Sequence, residues 1–106
     1  MVFITGLSVA PVTDWRLYDT MYTERYMGLD TADDNRAGYN ASSLLSDVEA
    51  FRGKRFQINH GLADDNVHYQ NTAFLIKVCF LSKRRMLSCS SKLYVKIIAG
   101  VVRPMS

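Results

Sequence analysis

The apolar positions along the chain change period several times, and each change marks a candidate element. Residues 2–10 run almost without interruption through Val2, Phe3, Ile4, Leu7, Val9 and Ala10, and Pro11 follows as a stop. A short apolar run rich in β-branched residues predicts a buried strand, which needs neighbours on both sides. Residues 11–14 read as a turn, in which Thr13 or Asp14 can cap a following helix. Trp15, Tyr18 and Tyr22 then recur at three- and four-residue steps, which places them on one helical face. Residues 28–40 carry Gly, Asp and Asn punctuation and read as a loop. Ser42 or Ser43 is placed to start a second helix reaching about Phe51.

Phe56-Gln57-Ile58-Asn59-His60 reads as a short strand, and residues 61–66 as a polar turn at its carboxyl end. Val67, Phe74, Leu75, Val78 and Leu81 fall at helical spacing over residues 67–81. Residues 93–102 are rich in β-branched side chains and predict a last strand. The order strand, helix, helix, strand, helix, strand predicts the α/β class, a sheet joined by crossover helices.

Composition changes this picture little. With 106 residues, 48% of them hydrophobic and 22% charged, the chain fits one small globular domain. No stretch approaches 18 consecutive apolar residues, so no membrane-spanning helix is expected. No Lys or Arg precedes the run at residues 2–10, which speaks against a signal peptide. Cys79 and Cys89 are too few for a disulfide scaffold and match no metal spacing, although a bridge between them is open. Asn40-Ala41-Ser42 is a glycosylation sequon.

Charge divides the chain. Residues 1–65 hold all ten acids and six bases; residues 66–106 hold seven bases and no acid. A basic tail can contact nucleic acid or anionic lipid. These bases are scattered and no aromatic stacking pattern accompanies them, so a solvated face and no nucleic-acid partner are expected.

The densest candidate chemistry is His60-Gly61-Leu62-Ala63-Asp64-Asp65-Asn66-Val67-His68. A tight turn at a strand's carboxyl end is where α/β sheets place functional side chains. Two acids between two histidines can be read as a metal site, or one acid as the group that orients a catalytic histidine. Asp-Asp pairs in turns are more often simply solvated. The face of Trp15, Tyr18 and Tyr22 can line an apolar pocket, although core packing is the commoner use of such rings. There is no Gly-rich phosphate loop, no Cys-x-x-Cys pair and no Gly-x-Ser-x-Gly nucleophile turn.

The residues also carry a resemblance. Val9-Ala10-Pro11-Val12-Thr13-Asp14-Trp15, Tyr18-Asp19, Tyr22-Thr23-Glu24-Arg25-Tyr26-Met27-Gly28 and the run from His60 to His68 are similar to the dipeptidyl-peptidase branch of the prolyl oligopeptidase family. The match spans residues 2–77 with the spacing between blocks preserved. It implies a partial α/β-hydrolase domain over residues 1–78, with a truncated sheet and crossover helices, followed by a diverged basic tail over residues 79–106. It implies a serine-type peptidase that removes N-terminal X-Pro or X-Ala dipeptides through a Ser-Asp-His triad, without cofactor or metal. Asp64 matches the triad carboxylate. Val12, Trp15, Tyr18, Tyr22 and Val67 match the pocket for the proline ring. Asn66 matches a residue that hydrogen-bonds the substrate backbone, and Asp19 an acid beside the pocket. His60 and His68 match ordinary positions, not the triad histidine. The resemblance also implies an extracellular parent, secreted or held by a type II anchor, often homodimeric, with Asn40 as a candidate glycosylation site.

Departures from the family pattern temper the expected activity. The family's serine turn, its oxyanion tyrosine and its β-propeller lie upstream of the matching segment. Residues 78–106 contain no histidine. Thr5 stands where family members often carry a bridging cysteine. The resemblance fades after Lys77, near where the acid-free stretch sets in, which points to a discontinuity near residues 78–80. The chain alone is therefore expected to be inactive. The alternative reading is a non-enzymatic accessory or binding protein with a hydrolase-like surface.

Overall fold

A computed structural model describes residues 5–85 and 92–98. Three strands, β1 (Thr5–Val9), β2 (Arg55–Gly61) and β3 (Lys92–Ile98), form one sheet in the order β1-β2-β3. Both pairings are parallel, with Thr5 opposite Arg55 and Arg55 opposite Lys92. Parallel neighbours need crossover connections, and helices supply them here. The first carries α1 (Thr20–Met27) and α2 (Arg36–Ser42); the second is α3 (Gln70–Arg85). The expected α/β class, with a small sheet and crossover helices, is the one observed.

Burial follows from strand order. β2 is central, and its Ile58 is fully buried. β1 lies at an edge among the described residues, with Leu7 65% and Val9 69% exposed, not enclosed as the apolar run suggests. Residues 2–4 of the expected first strand and 99–102 of the last lie outside the described residues, as does Cys89. Leu75 is the most buried apolar side chain of the described part of α3, and α3 packs against a short 3-10 turn, Val48–Phe51. Phe51 and Phe56 meet with tilted rings, centroids 4.9 Å apart, and Ser82 donates to Glu49 Oε1 at 2.9 Å.

Three local expectations need correction. Trp15, Tyr18 and Tyr22 do not share one helix. Trp15 lies in a 3-10 turn (Trp15–Leu17), Tyr18 is extended (φ −113°, ψ 169°), and a new helix starts after Asp19. Each start has its own cap: Asp14 accepts from Arg16 N, and Asp19 accepts from Met21 N. Two adjacent N-caps, each contributing about 1 kcal/mol, divide what the aromatic spacing presents as continuous. Secondly, the punctuated stretch 28–40 is not all loop, because Asn35 caps α2 by accepting from Gly38 N at 3.2 Å. Thirdly, no helix starts at Ser42 or Ser43. Ser43 is buried and donates its hydroxyl to Asp14 Oδ2 at 2.6 Å, so the chain is tied down where a cap was expected.

Two backbone features direct the chain towards one end of the sheet. Ala10 adopts a left-handed conformation (φ 46°) as β1 ends, turning Pro11 and Val12 out of the strand line. Gly28 ends α1 at φ 72°, and a Cβ there would stand 2.6 Å from the Asp34 carboxylate. Because β1 and β2 run parallel, the segments that follow them leave the same carboxyl end of the sheet. That end is where open α/β sheets place their sites.

Candidate functional site

The segment after β2 is organised around Asp64. Its Oδ1 accepts the amide hydrogens of Asn66 and Val67, each at 3.0 Å. Its amide donates to Gly61 O at 3.4 Å. An Asp side chain bonding the backbone two and three residues ahead is the local preference that makes Asp a turn residue. The same geometry fixes the plane of the carboxylate. Oδ2 is left 3.7 Å from His60 Nε2, beyond hydrogen-bond length, and accepts no hydrogen bond among the described residues. The Asp64 side chain keeps only 12% of its surface exposed. A carboxylate held by one oxygen and presenting the other is suited to accept one further N–H.

His60 is a structural partner in this arrangement. It is 1% exposed, its Nε2 lies 2.7 Å from Val67 O and its Nδ1 lies 2.6 Å from Thr72 Oγ1. A carbonyl oxygen only accepts, so Nε2 carries a hydrogen; in the uncharged ring Nδ1 then accepts the Thr72 hydroxyl. Tyr69 meets the ring edge-on at 5.6 Å. Both nitrogens are thus engaged, which leaves no free face for shuttling protons. His68 is exposed, and its Nδ1 accepts from Gln70 N at 3.2 Å. Among the described residues, no group of three or more His, Cys, Asp and Glu side chains gathers as a metal site.

The aromatic segment approaches from the other side. Trp15, Tyr18, Tyr22 and Tyr26 form a ladder with centroid separations of 5.9, 5.7 and 5.1 Å, the first two contacts edge-to-face. Although the helix is broken at Tyr18, the ring spacing survives the break. Tyr22 is 51% exposed and Tyr26 68%, so this face is not core. Tyr18 OH donates to Asn66 Oδ1 at 3.0 Å, joining the ladder to the Asp64 turn. Val12 and Val67 are each half-buried, and Asp19 is an exposed cap at the foot of α1. The structure therefore brings Tyr18, Asn66, Val67 and Asp64 into one region, with Trp15 and Tyr22 attached through Tyr18.

A hollow of about 220 Å³ adjoins the ladder at Trp15 and Tyr18. Trp15 and Tyr18 are the only expected pocket residues that line it; Arg16, Thr20, Thr23, Glu24, Asp30 and Tyr39 complete it. The Arg16 side chain organises this region. It binds Asp30 Oδ2 at 2.5 Å, Asn40 Oδ1 at 2.6 Å and Asp14 Oδ2 at 3.3 Å. The hydrogen bond from Arg16 holds the Asp30 carboxyl below its ordinary range, and the same bond raises the Arg16 guanidinium. Burial of its ring pushes the Tyr39 hydroxyl up, and that hydroxyl donates to Gly28 O at 2.6 Å. The sequon residue Asn40 is exposed on α2.

The sequence reading missed the polar groups that hold these parts in place. Thr13, Asn71 and Thr72 are each at most 1% exposed. Asn71 and Thr72 precede the buried Leu75 by four and three residues, so they lie on the inward face of α3. Polar residues on the buried face of a helix need partners, and that was the available signal.

The chain and its fold have known counterparts. The model of the prolyl oligopeptidase family matches residues 1–88. Venom dipeptidyl peptidase 4 of Apis mellifera is 57% identical over 76 residues, covering 72% of this chain and 10% of that protein. Dipeptidyl peptidase 4 of Bos taurus is 49% identical over 76 residues, with the same 72% and 10% covered. The crystal structure of Porphyromonas gingivalis dipeptidyl peptidase 4 superposes with a TM-score of 0.72 at 35% identity, over 89% of this chain and 12% of that one. The chain thus spans about a tenth of the length of the curated relatives it matches.

Proposed function

The chain belongs to the prolyl oligopeptidase family, and from that membership we propose that it carries the triad acid and the proline pocket of a serine-type dipeptidyl peptidase. Such an enzyme removes N-terminal dipeptides whose second residue is proline or alanine. The observation that supports the reading most is the hydrogen bond from Tyr18 to Asn66, 3.0 Å long across 48 residues of sequence. It places an exposed aromatic surface beside a carboxylate whose one oxygen is fixed and whose other is unclaimed.

In the proposed mechanism Asp64 Oδ2 accepts the Nδ1–H of a catalytic histidine. The imidazole takes the proton of a serine hydroxyl as that oxygen attacks the carbonyl after the second substrate residue. Asp64 stays ionised, fixes the tautomer and stabilises the imidazolium. His60 is fully engaged elsewhere, His68 Nδ1 accepts from Gln70 N and so offers Asp64 no N–H, and the chain holds no Gly-x-Ser-x-Gly turn. The serine and the histidine accordingly come from outside these 106 residues, and the chain alone is inactive. Val12, Trp15, Tyr18, Tyr22 and Val67 receive the proline ring, which offers shape and dispersion but no N–H. Asn66 bonds the substrate backbone, and Asp19 sits beside the pocket.

The venom relatives support a secreted, extracellular parent; a type II anchor and a homodimer are proposed from the family resemblance alone. Among the described residues no helix is long and apolar enough to cross a membrane. Asn40, exposed on α2, is the proposed glycan acceptor in that setting.

The test is a transplant. Residues 2–77 replace the matching segment of the Apis mellifera relative, and hydrolysis of a Gly-Pro anilide is followed. Activity within about tenfold of the unaltered relative is expected. A folded chimera with no hydrolysis above buffer overturns the reading.

A further inference from the structure

The proposed proline gap lies between two segments that the sheet does not itself hold together. Val12, Trp15, Tyr18 and Tyr22 follow β1, whereas Asn66 and Val67 follow β2. Strand pairing fixes the chain as far as Val9 opposite Asn59, and the amide of Ala10 adds one more bond to Asn59 O at 2.9 Å. Beyond that point the Tyr18–Asn66 bond ties the two segments at the exposed surface, and their buried side needs a determinant of its own.

Asn71, in the first turn of α3, touches both. It is fully buried, and its Oδ1 accepts from Thr13 N at 3.0 Å. Its Nδ2 donates to Leu17 O at 3.1 Å and to His68 O at 3.3 Å. Its backbone oxygen accepts the Thr13 hydroxyl at 2.8 Å, and that hydroxyl also approaches Oδ1 at 3.4 Å. One amide group therefore grips the pocket segment on both sides of Trp15, at Thr13 and Leu17. It also grips the end of the Asp64 loop at His68. Both donors of the side chain and its acceptor are used, which is the condition for a buried amide to fix a distance and not merely occupy space.

We propose that Asn71 is a positioning residue that sets the width of the proline gap, and through it the preference for proline over alanine in the second substrate position. The proposal rests on the functional reading above. A proline ring has to touch the aromatic wall and Val67 together. Dispersion falls by a quarter to a half when a gap of about 0.5–1 Å opens, so the ring is sensitive to the spacing. An alanine methyl is too short to span both walls and is indifferent to it. Asn71 touches neither substrate nor reacting atoms; it acts through Thr13, Leu17 and His68.

The experiment uses the active chimera with Asn71→Asp and, separately, Thr13→Val. Asn71→Asp is isosteric and keeps Oδ1 for Thr13 N, but sets an oxygen against the Leu17 and His68 carbonyls. Thr13→Val removes the hydroxyl half of the same bridge. The readout is the ratio of kcat/KM for Gly-Pro and Gly-Ala anilides, per folded enzyme. The ratio is expected to fall about tenfold in Asn71→Asp and by less in Thr13→Val, with the Gly-Ala value within about twofold of the parent. Equal losses on both substrates, or an unchanged ratio, overturn the proposal and leave Asn71 a purely structural residue. If Asn71→Asp does not fold, Thr13→Val decides. An unsubstituted chimera that folds without activity overturns the functional reading and the proposal with it; an active one with an unmoved ratio overturns the proposal alone.

Discussion

Around Asp64 the groups that set the loop are buried and bonded to backbone: His60 to Val67 O, Asn71 to His68 O, and Asp64 itself to two amides. Across the gap, the aromatic wall is held by ring edges, with Tyr22 half-exposed and Tyr26 more so, and by the Arg16 ion pairs behind it. The first arrangement is directional, and a displaced group leaves a partner unsatisfied. The ring contacts of the second are less directional, so the wall takes its position from the few hydrogen bonds that anchor its segment. A carboxylate that must accept one N–H needs directional support at its own atoms, whereas a surface that recognises a ring by shape needs it where its segment is anchored, at Thr13 and Leu17.

The two walls differ most if Asp64 is neutralised. In the chimera, Asp64→Asn is expected to lower kcat by about ten-thousandfold with little change in melting temperature, because the side chain keeps its shape but no longer fixes the imidazole tautomer. Steady-state kinetics with calorimetry on the same sample check this. A smaller loss is expected at the aromatic wall. Tyr22→Ala removes one rung of the ladder and lowers kcat/KM for Gly-Pro anilide about tenfold, mainly through KM. Competition between proline and alanine substrates measures it.

The smallest effect belongs to the ion pair behind the wall. Asp30 is held below its ordinary value in the folded state, first by the hydrogen bond from Arg16. Its contribution is therefore complete above the unfolded carboxyl value and is lost as pH falls through the lower folded value. Asp30→Asn is expected to be slightly less stable at neutral pH, equal to the parent in acid, and less sensitive to salt than the parent, which weakens towards about 1 M. Melting curves over pH and salt test it.

Elements set by periodicity were legible in the sequence; elements set by a single tertiary bond were not. β2 and α3 follow from alternation and helical spacing, and β3 from its β-branched run. The break at Tyr18 was hidden because the ring spacing continues across it, and only the paired caps Asp14 and Asp19 reveal two starts. Ser43 presents a cap's chemistry, and its use is decided by Asp14, 29 positions away. At the site, the Asp64 turn was visible as a local polar run. The bond between Tyr18 and Asn66, and the whole role of Asn71, depend on two loops leaving the same carboxyl end of the sheet, which no local pattern encodes.

The central claim is that the aromatic segment and the Asp64 loop form one site. A double-mutant cycle of Tyr18→Phe and Asn66→Ala in the chimera, read as kcat/KM on Gly-Pro anilide, tests it most directly. A shared hydrogen bond predicts that the double variant loses about fivefold to tenfold less than the product of the single losses, a coupling of about 1 kcal/mol. Strictly multiplicative losses would show that the two segments act independently, and would contradict the account.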